Sequence, residues 1–247
     1  MRALIALLAG VTLPALAASF NDTGITFCAD DSTTIADCSV VAIDGGSHQR
    51  QDAIYGRDAA VLTDTLPKTG SGEAGFDFTA LDANGQSTLP SNSGSTPHSC
   101  VRDNLTGLVW EVKTNDDGLR DQKWSYSWYD SAHNYGGSAG SPSNGICKTS
   151  GRCDTEKYIV DIKASALCRF SDWRMPTWLE LQGIAHLGRS NPAIEPIYFP
   201  NTPSSSFWSA SPSADYVDGA WYVNFYYGTV AYYNRSNATR VRLVRGG

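Results

Sequence analysis

The sequence lacks the residue sets that usually mark chemistry. Its four histidines, His48, His98, His133 and His186, stand at no metal-ligand spacing from one another, and neither HExxH nor CxxC occurs. That removes the common zinc signatures. No serine lies in the strand–turn–helix setting of a nucleophile elbow. Gly70-Ser71-Gly72-Glu73-Ala74-Gly75 has the letters of GxGxxG, but TDTLPKT precedes it and the strand-like FDF follows. A dinucleotide site needs a strand before the glycines and a helix after them, so this segment reads as a loop. Charge is also scarce, at 18% of residues with a formal balance of -6. An acidic chain is a poor partner for nucleic acid or an anionic membrane. Asp116, Asp117 and Asp121 cluster in NDDGLRD. Their spacing matches no complete calcium loop, and an acidic turn is the expected reading. No cofactor and no metal site are therefore expected.

Beyond the N-terminus no apolar run is long enough to span a bilayer. The first residues, MRALIALLAGVTLPALAASF, combine Arg2, an apolar stretch from Ala3 to Leu13 and a small-x-small site at Ala15-Leu16-Ala17. That is the form of a secretory signal peptide over residues 1–18. The expected location is secreted, periplasmic or on the cell surface. An exported chain meets oxidising conditions, so its six cysteines should pair. Six cysteines allow 15 pairings, which sequence alone does not resolve. Pairing neighbours joins Cys28 to Cys38 and Cys147 to Cys153, which leaves Cys100 with Cys168.

What the chain has is Gly, Ser, Asn, Thr and aromatic residues, with few helix formers. Residues 19–97 show weak periodicity and read as an irregular N-terminal extension with few strands. FDFTAL alternates as a strand does, and Asn84-Gly85 is a tight-turn signal. Residues 98–247 are more regular. NLTGLVWEV holds a strand with Leu108 and Trp110 on one face. DTEKYIVDIKASALC reads as a helix capped by Asp154 or Thr155, with Tyr158, Ile159, Ile162, Ala166 and Leu167 as its apolar stripe. A second helix opens at the capping box Thr177–Glu180. Leu181 and Ile184 should face the core, Leu187 should extend that face, and Gly188 should end it. FWSAS, AWYVNFYY, TVAYYN and RVRLV then read as strands, giving an α+β domain with two helices and an antiparallel sheet. Trp110, Trp173, Trp208 and Trp221 are expected in the core, and packing is favoured over a sugar platform for Trp124 and Trp128.

CVRDNLTGLVWEVKT, FSDWRMPTWLELQGI, FWSASPSADYVDGAWYVNFYYG and the terminal VRLVRGG together resemble the Lcl C-terminal domain family, a bacterial family that also ends some collagen-like adhesins. The likeness spans about residues 100–247, and its blocks are specific in combination. The resemblance implies a C-type-lectin-like fold of the kind shared with formylglycine-generating enzymes. Their activity does not carry over, because it uses a cysteine pair late in the domain and no cysteine follows Cys168.

The family also includes targets of diversity-generating retroelements, which vary a ligand-binding face by mutating adenines in chosen codons. The C-terminal segment resembles such a repeat. Trp221, Val223, Phe225, Gly228, Arg235, Val241, Arg242, Leu243 and Arg245 look fixed. Among them lie Asp215, Tyr216, Asp218, Tyr226, Tyr227, Thr229, Ala231, Tyr232, Tyr233, Ser236, Ala238 and Thr239, all reachable from an asparagine codon by adenine substitution. Residues 213–240 contain no Lys, Glu, Gln or Met, where chain-average use gives about two.

Half of the 12 tyrosines lie between Tyr216 and Tyr233. Tyrosine joins large contact area to a hydroxyl and few rotors, which suits a binding surface. It is also a good strand residue, but the doublets at 226–227 and 232–233 break strict alternation. The expectation is a non-enzymatic binding protein whose ligand is a protein or glycan on another cell, phage or host surface. An alternative is an adhesin-like protein that holds polyanionic carbohydrate through Arg235, Arg240, Arg242 and Arg245. A third reading, an enzyme acting on envelope polymer, has no recognisable nucleophile, base or metal set behind it.

Overall fold

A computed structural model describes residues 21–29, 34–35, 38, 51–91, 98–133 and 138–246. The signal-peptide expectation falls on residues outside this set. The elements run β1 (Cys28–Ala29), β2 (Thr34–Ile35), α1 (Asp52–Tyr55), α2 (Arg57–Leu62), β3 (Phe78–Leu81), β4 (Ser87–Thr88), β5 (Cys100–Asp103), β6 (Val109–Glu111) and β7 (Tyr126–Ser127). After them come α3 (Thr155–Ala164), a 3-10 turn at Leu167–Arg169, α4 (Trp178–Gln182), β8 (Ser206–Pro212), β9 (Gly219–Asn224), β10 (Thr229–Asn234), β11 (Ala238–Thr239) and β12 (Val244–Arg245). The fold is α+β, with short helices and antiparallel sheets.

The larger sheet has the order β12-β6-β5-β3-β4. Two of its strands come from the first 97 residues. β3 pairs with β5 from Phe78↔Asp103 to Leu81↔Cys100, and it turns back on itself through Asn84-Gly85 to pair with β4. The extension therefore completes the sheet of the second half. The smaller sheet has the order β10-β9-β8, and the two sheets share a core.

Two apolar cores lie between and around these sheets, and alternation divides the strands between them. Phe78, Val101, Trp110, Phe207, Val223 and Phe225 enter one core, together with Leu181 and Ile184. Leu81, Cys100, Val109, Trp208, Ala220 and Tyr222 enter the other, together with Trp128, Tyr158 and Trp173. The centre of the smaller sheet is thus covered on both faces, and Tyr222 is buried rather than displayed.

Local signals set the helix starts. The Asp154 side chain accepts from Lys157 N at the head of α3, and both halves of the Thr177–Glu180 capping box are made in α4. α4 stops at Gln182, well before the expected end near Gly188. Beyond Gly183 the backbone is claimed from elsewhere: His186 N donates to Ala193 O, and Leu187 N donates to Thr23 O. Leu187 is consequently exposed instead of extending the apolar face.

Three disulfides join Cys28 to Cys38, Cys100 to Cys168 and Cys147 to Cys153. The second ties β5 to the turn after α3 and closes a separation of 68 residues, the longest of the three. Among the described residues no helix is long and apolar enough to cross a membrane.

Candidate functional site

The hairpin β9–β10 carries the exposed aromatics. Six residue pairs hold it, from Thr229↔Asn224 to Asn234↔Gly219. Its turn is fixed in three ways. The Asn224 side chain accepts from Tyr226 N at 2.7 Å, Gly228 N donates to Asn224 O, and Asn191 N donates to Tyr226 O. Gly228 adopts φ 74°, which a residue with Cβ rarely takes, and a side chain there would run into Leu187. Tyr226 and Tyr227 project from this turn with ring centroids 4.4 Å apart, edge to face.

A second aromatic group lies at the other end of the hairpin. Tyr232 shares a face with Trp221, its register partner, at 5.9 Å. Tyr216 stacks on Tyr232 at 4.4 Å with an interplanar angle of 21°. Trp178, the first residue of α4, extends the row from Trp221 at 6.3 Å. Tyr216 is presented by a loop closed by Ser213 N donating to Gly219 O and Gly219 N donating to Tyr216 O. Between this loop and β10 lies a cleft of about 350 Å³ lined by Asp215, Tyr216, Val217, Asp218, Tyr232 and Asn234. The hydrogen bond with Tyr216 holds the Tyr232 phenol above its ordinary pKa. The row thus offers neutral hydroxyls and flat rings beside two exposed carboxylates.

The expected display residues do not form one continuous patch. Asp215, Tyr216, Asp218 and Tyr232 converge on the cleft. Tyr226, Tyr227 and Thr229 are exposed at the opposite end of the hairpin, with Thr229 roughly 10 Å along the strand from Tyr232. Tyr233 points to the other face, where it leans on Tyr222 at 4.5 Å and on the edge of Trp208 at 6.4 Å. Ala231 is half-buried opposite Tyr222. Ser236 and Ala238 are exposed, and the Ser236 carbonyl accepts from Asn144 Nδ2 at 2.7 Å. Thr239 is buried, pairs with Tyr126 and donates to Ser206 O, so it is not displayed. Trp221, expected in the core, is only half-buried and joins the row, as does the half-buried Trp178. The only sequence signal for Trp178 was its place at the first turn of a capped helix.

The arginines behave differently from the phenols. Arg235 is 1% exposed and Arg242 is fully buried. Arg235 lies over the Trp128 ring at 4.4 Å and donates from Nε to Gly219 O. Arg242 donates to Glu111 O at 2.7 Å and to the Thr202 hydroxyl at 2.6 Å, and burial lowers its pKa to about 10. Arg240 is half-buried and donates to Ser205 Oγ at 2.8 Å. Arg245 pairs with Asp172 at 2.8 Å. Four arginines do not gather into a surface for polyanions. Alternation in RVRLV would turn Arg242 outward; its buried oxygen partners turn it in.

Two other polar clusters are accounted for by their own hydrogen bonds. Lys113 Nζ meets Glu111 Oε1 at 2.8 Å and the Tyr158 hydroxyl at 3.0 Å, all three fully buried. Burial, partly offset by Glu111, lowers the Lys113 pKa, and burial raises that of Tyr158. The NDDGLRD cluster is an ordinary turn: Asp121 accepts from the amides of Asp116, Asp117 and Lys123. Trp128 is buried and donates to Ser209 O, whereas Trp124 is only partly buried under Lys123.

No curated protein matches the chain significantly. The family model for the Lcl C-terminal domain matches residues 99–245, which hold β5 to β12 and the whole aromatic row. That span is more than half of the 247 residues, and the chain belongs to the Lcl C-terminal domain family.

Proposed function

We propose that this chain is a secreted, non-enzymatic binding protein whose ligand surface is the tyrosine-rich edge of the β9–β10 hairpin. The observation that carries the reading is the row Trp178–Trp221–Tyr232–Tyr216, standing over a cleft that also presents Asp215 and Asp218. Flat amphipathic rings with few rotors bind sugar faces and protein side chains alike, at small entropic cost. The two carboxylates favour a ligand rich in hydrogen-bond donors. The turn pair Tyr226–Tyr227 supplies a second contact point on the same hairpin.

Three further observations support the reading. The described chain buries its one lysine–carboxylate–phenol cluster out of reach of a substrate. The disulfides and the lack of a long apolar helix among the described residues agree with life outside the cytoplasm. Ten of the twelve positions singled out as reachable from asparagine codons are exposed, all but Ala231 and Thr239, which fits a C-type-lectin-like scaffold diversified by a retroelement. A near-copy of the 3′ coding end that differs only at adenines, beside a reverse-transcriptase gene, would establish diversification. Its absence from the genome would remove that part of the reading.

The direct test replaces Tyr226, Tyr227, Tyr232 and Tyr233 by alanine. Binding to a glycan array and to intact cells is compared with the parent chain, alongside thermal unfolding. Loss of binding with unfolding shifted by only a few degrees supports the proposal. Binding kept at parental strength overturns it, and so does a chain that no longer folds, because the phenols would then be structural. Raising the ionic strength should leave tyrosine-led binding almost unchanged, whereas arginine-led binding to a polyanion would weaken steeply.

A further inference from the structure

Far from the hairpin, three carboxylates meet that no spacing in the sequence brings together. Asp22 lies in the segment before β1, Asp52 opens α1 and Asp58 lies in α2. One oxygen from each lies within 4.8 Å of the other two. Among the described residues, no lysine or arginine forms an ion pair with any of them. The nearest candidates are engaged elsewhere: Arg57 Nε donates to Gly75 O, and Lys68 Nζ donates to Gly72 O and Ala74 O.

Each carboxylate is partly held by the protein. Asp22 accepts from Thr23 N at 2.9 Å and from Asp58 N at 2.7 Å. Asp58 Oδ1 accepts from Gly75 N at 2.5 Å, and the Thr23 hydroxyl donates to Asp52. A side chain at Gly75 would collide with Asp22, so the loop approaches as closely as glycine allows. Asp58 is the exception to this provision. Its side chain is fully buried, and Oδ2 has no hydrogen-bond partner among the described residues. A buried carboxylate oxygen without a donor is costly. Burial, with Asp22 and Asp52 alongside, pushes the Asp58 carboxyl up to about 6. Burial likewise holds Asp22 above its ordinary value.

From this convergence we propose that Asp22, Asp52 and Asp58 form a calcium site. All three ligands are oxygens, as a hard cation prefers, and among the described residues no histidine or cysteine joins the cluster to favour a transition metal. Calcium accepts six to eight oxygens in flexible geometry, and waters complete the set. Magnesium demands a tighter octahedron and should bind more weakly. The ion would neutralise the cluster and satisfy Asp58 Oδ2. It would also fasten three pieces of chain: the segment around Asp22, the α1–α2 pair, and the loop at Gly75. The same segment docks on the matched domain, where Leu187 N donates to Thr23 O and Asn21 Nδ2 donates to Asp103 Oδ2. Calcium would therefore lock the extension against the domain that carries the hairpin.

The test uses the purified intact chain, first stripped with chelator. Titration calorimetry with calcium chloride should show one ion per chain, with a Kd of roughly 0.1–1 mM, typical of extracellular modules. Calcium at about 10 mM should raise Tm by roughly 3–8 °C over chelator, and magnesium by less. D52N and D58N should each lose the binding heat and the shift, whereas D116N in the separate acidic turn should keep both. No binding heat in the parent chain overturns the proposal. An equal Tm shift in parent, D52N and D58N also overturns it, because the ions would then be spread over an acidic surface. If the buried Asp58 does not tolerate D58N, the half-exposed Asp52 and the stoichiometry of the parent chain decide the matter.

Discussion

β9 and β10 are hydrogen-bonded along their whole length and hold similar residues, yet they have opposite fates. β9 is the centre of its sheet, and Ala220, Tyr222 and Val223 are buried in two different cores. β10 is the edge, and every residue in it is exposed or half-exposed. Strand propensity does not separate the two, because each holds Val and at least one aromatic residue among small ones. Position does: a central strand between two cores keeps most of its residues covered, whereas an edge strand that outruns its cover shows both faces. The doublet Tyr232–Tyr233 exploits this. Its two rings point to opposite faces, and each rests on an aromatic of β9, Trp221 on one side and Tyr222 on the other. β9 serves as a fixed floor and β10 as the layer that can change.

The strongest way to break this comparison is to damage the floor. Phe225, just past β9, is fully buried and meets Phe207 edge-on at 5.3 Å. Phe225→Ala should cost about 3–5 kcal/mol, measured by urea unfolding. If it cost no more than a change on β10, the division into floor and layer would be void. A somewhat smaller loss is expected at the end of β10, where Arg235 passes inward under the hairpin. Arg235→Ala should cost about 2–4 kcal/mol, because Gly219 O loses one of its two donors and Trp128 its stacked cation. Arg235→Lys should recover little of this, since an ammonium cannot reproduce the planar stack. Recovery to parental stability would show that charge alone holds the corner.

Much of the floor was legible in the sequence, and little of the site was. Helix starts were written locally, in Asp154 for α3 and in Thr177 and Glu180 for α4. The end of α4 was not, because the residues after Gly183 are claimed by partners as distant as Thr23. Strand positions followed from alternation, but exposure did not. In RVRLV the alternation is real, yet Arg242 is as buried as Val241, since Glu111 O and the Thr202 hydroxyl satisfy it from other parts of the chain. Tyr216 and Tyr232 could be singled out by composition. Their partnership with Trp221 and Trp178 could not, because it depends on how α4 crosses the sheet. The three aspartates near the N-terminus show the same limit: positions 22, 52 and 58 carry no spacing signal until the fold joins them.

Within the layer itself the expected effects are small, and they sharpen the comparison rather than break it. Tyr233 covers Tyr222 and the edge of Trp208, so Tyr233→Ala should cost about 1 kcal/mol, the value of a lost aromatic pair. Tyr227 is 63% exposed, and among the described residues its ring pairs with that of its neighbour Tyr226 alone. Tyr227→Ala should therefore stay within about 0.5 kcal/mol of the parent in the same unfolding measurement. The ordering matters more than either value. A residue that only displays should be thermodynamically quiet, while one that also shields a neighbour should show a modest cost. If Tyr227→Ala proved the more damaging of the two, the turn would be part of the floor, and Tyr226–Tyr227 would have to be removed from the ligand surface.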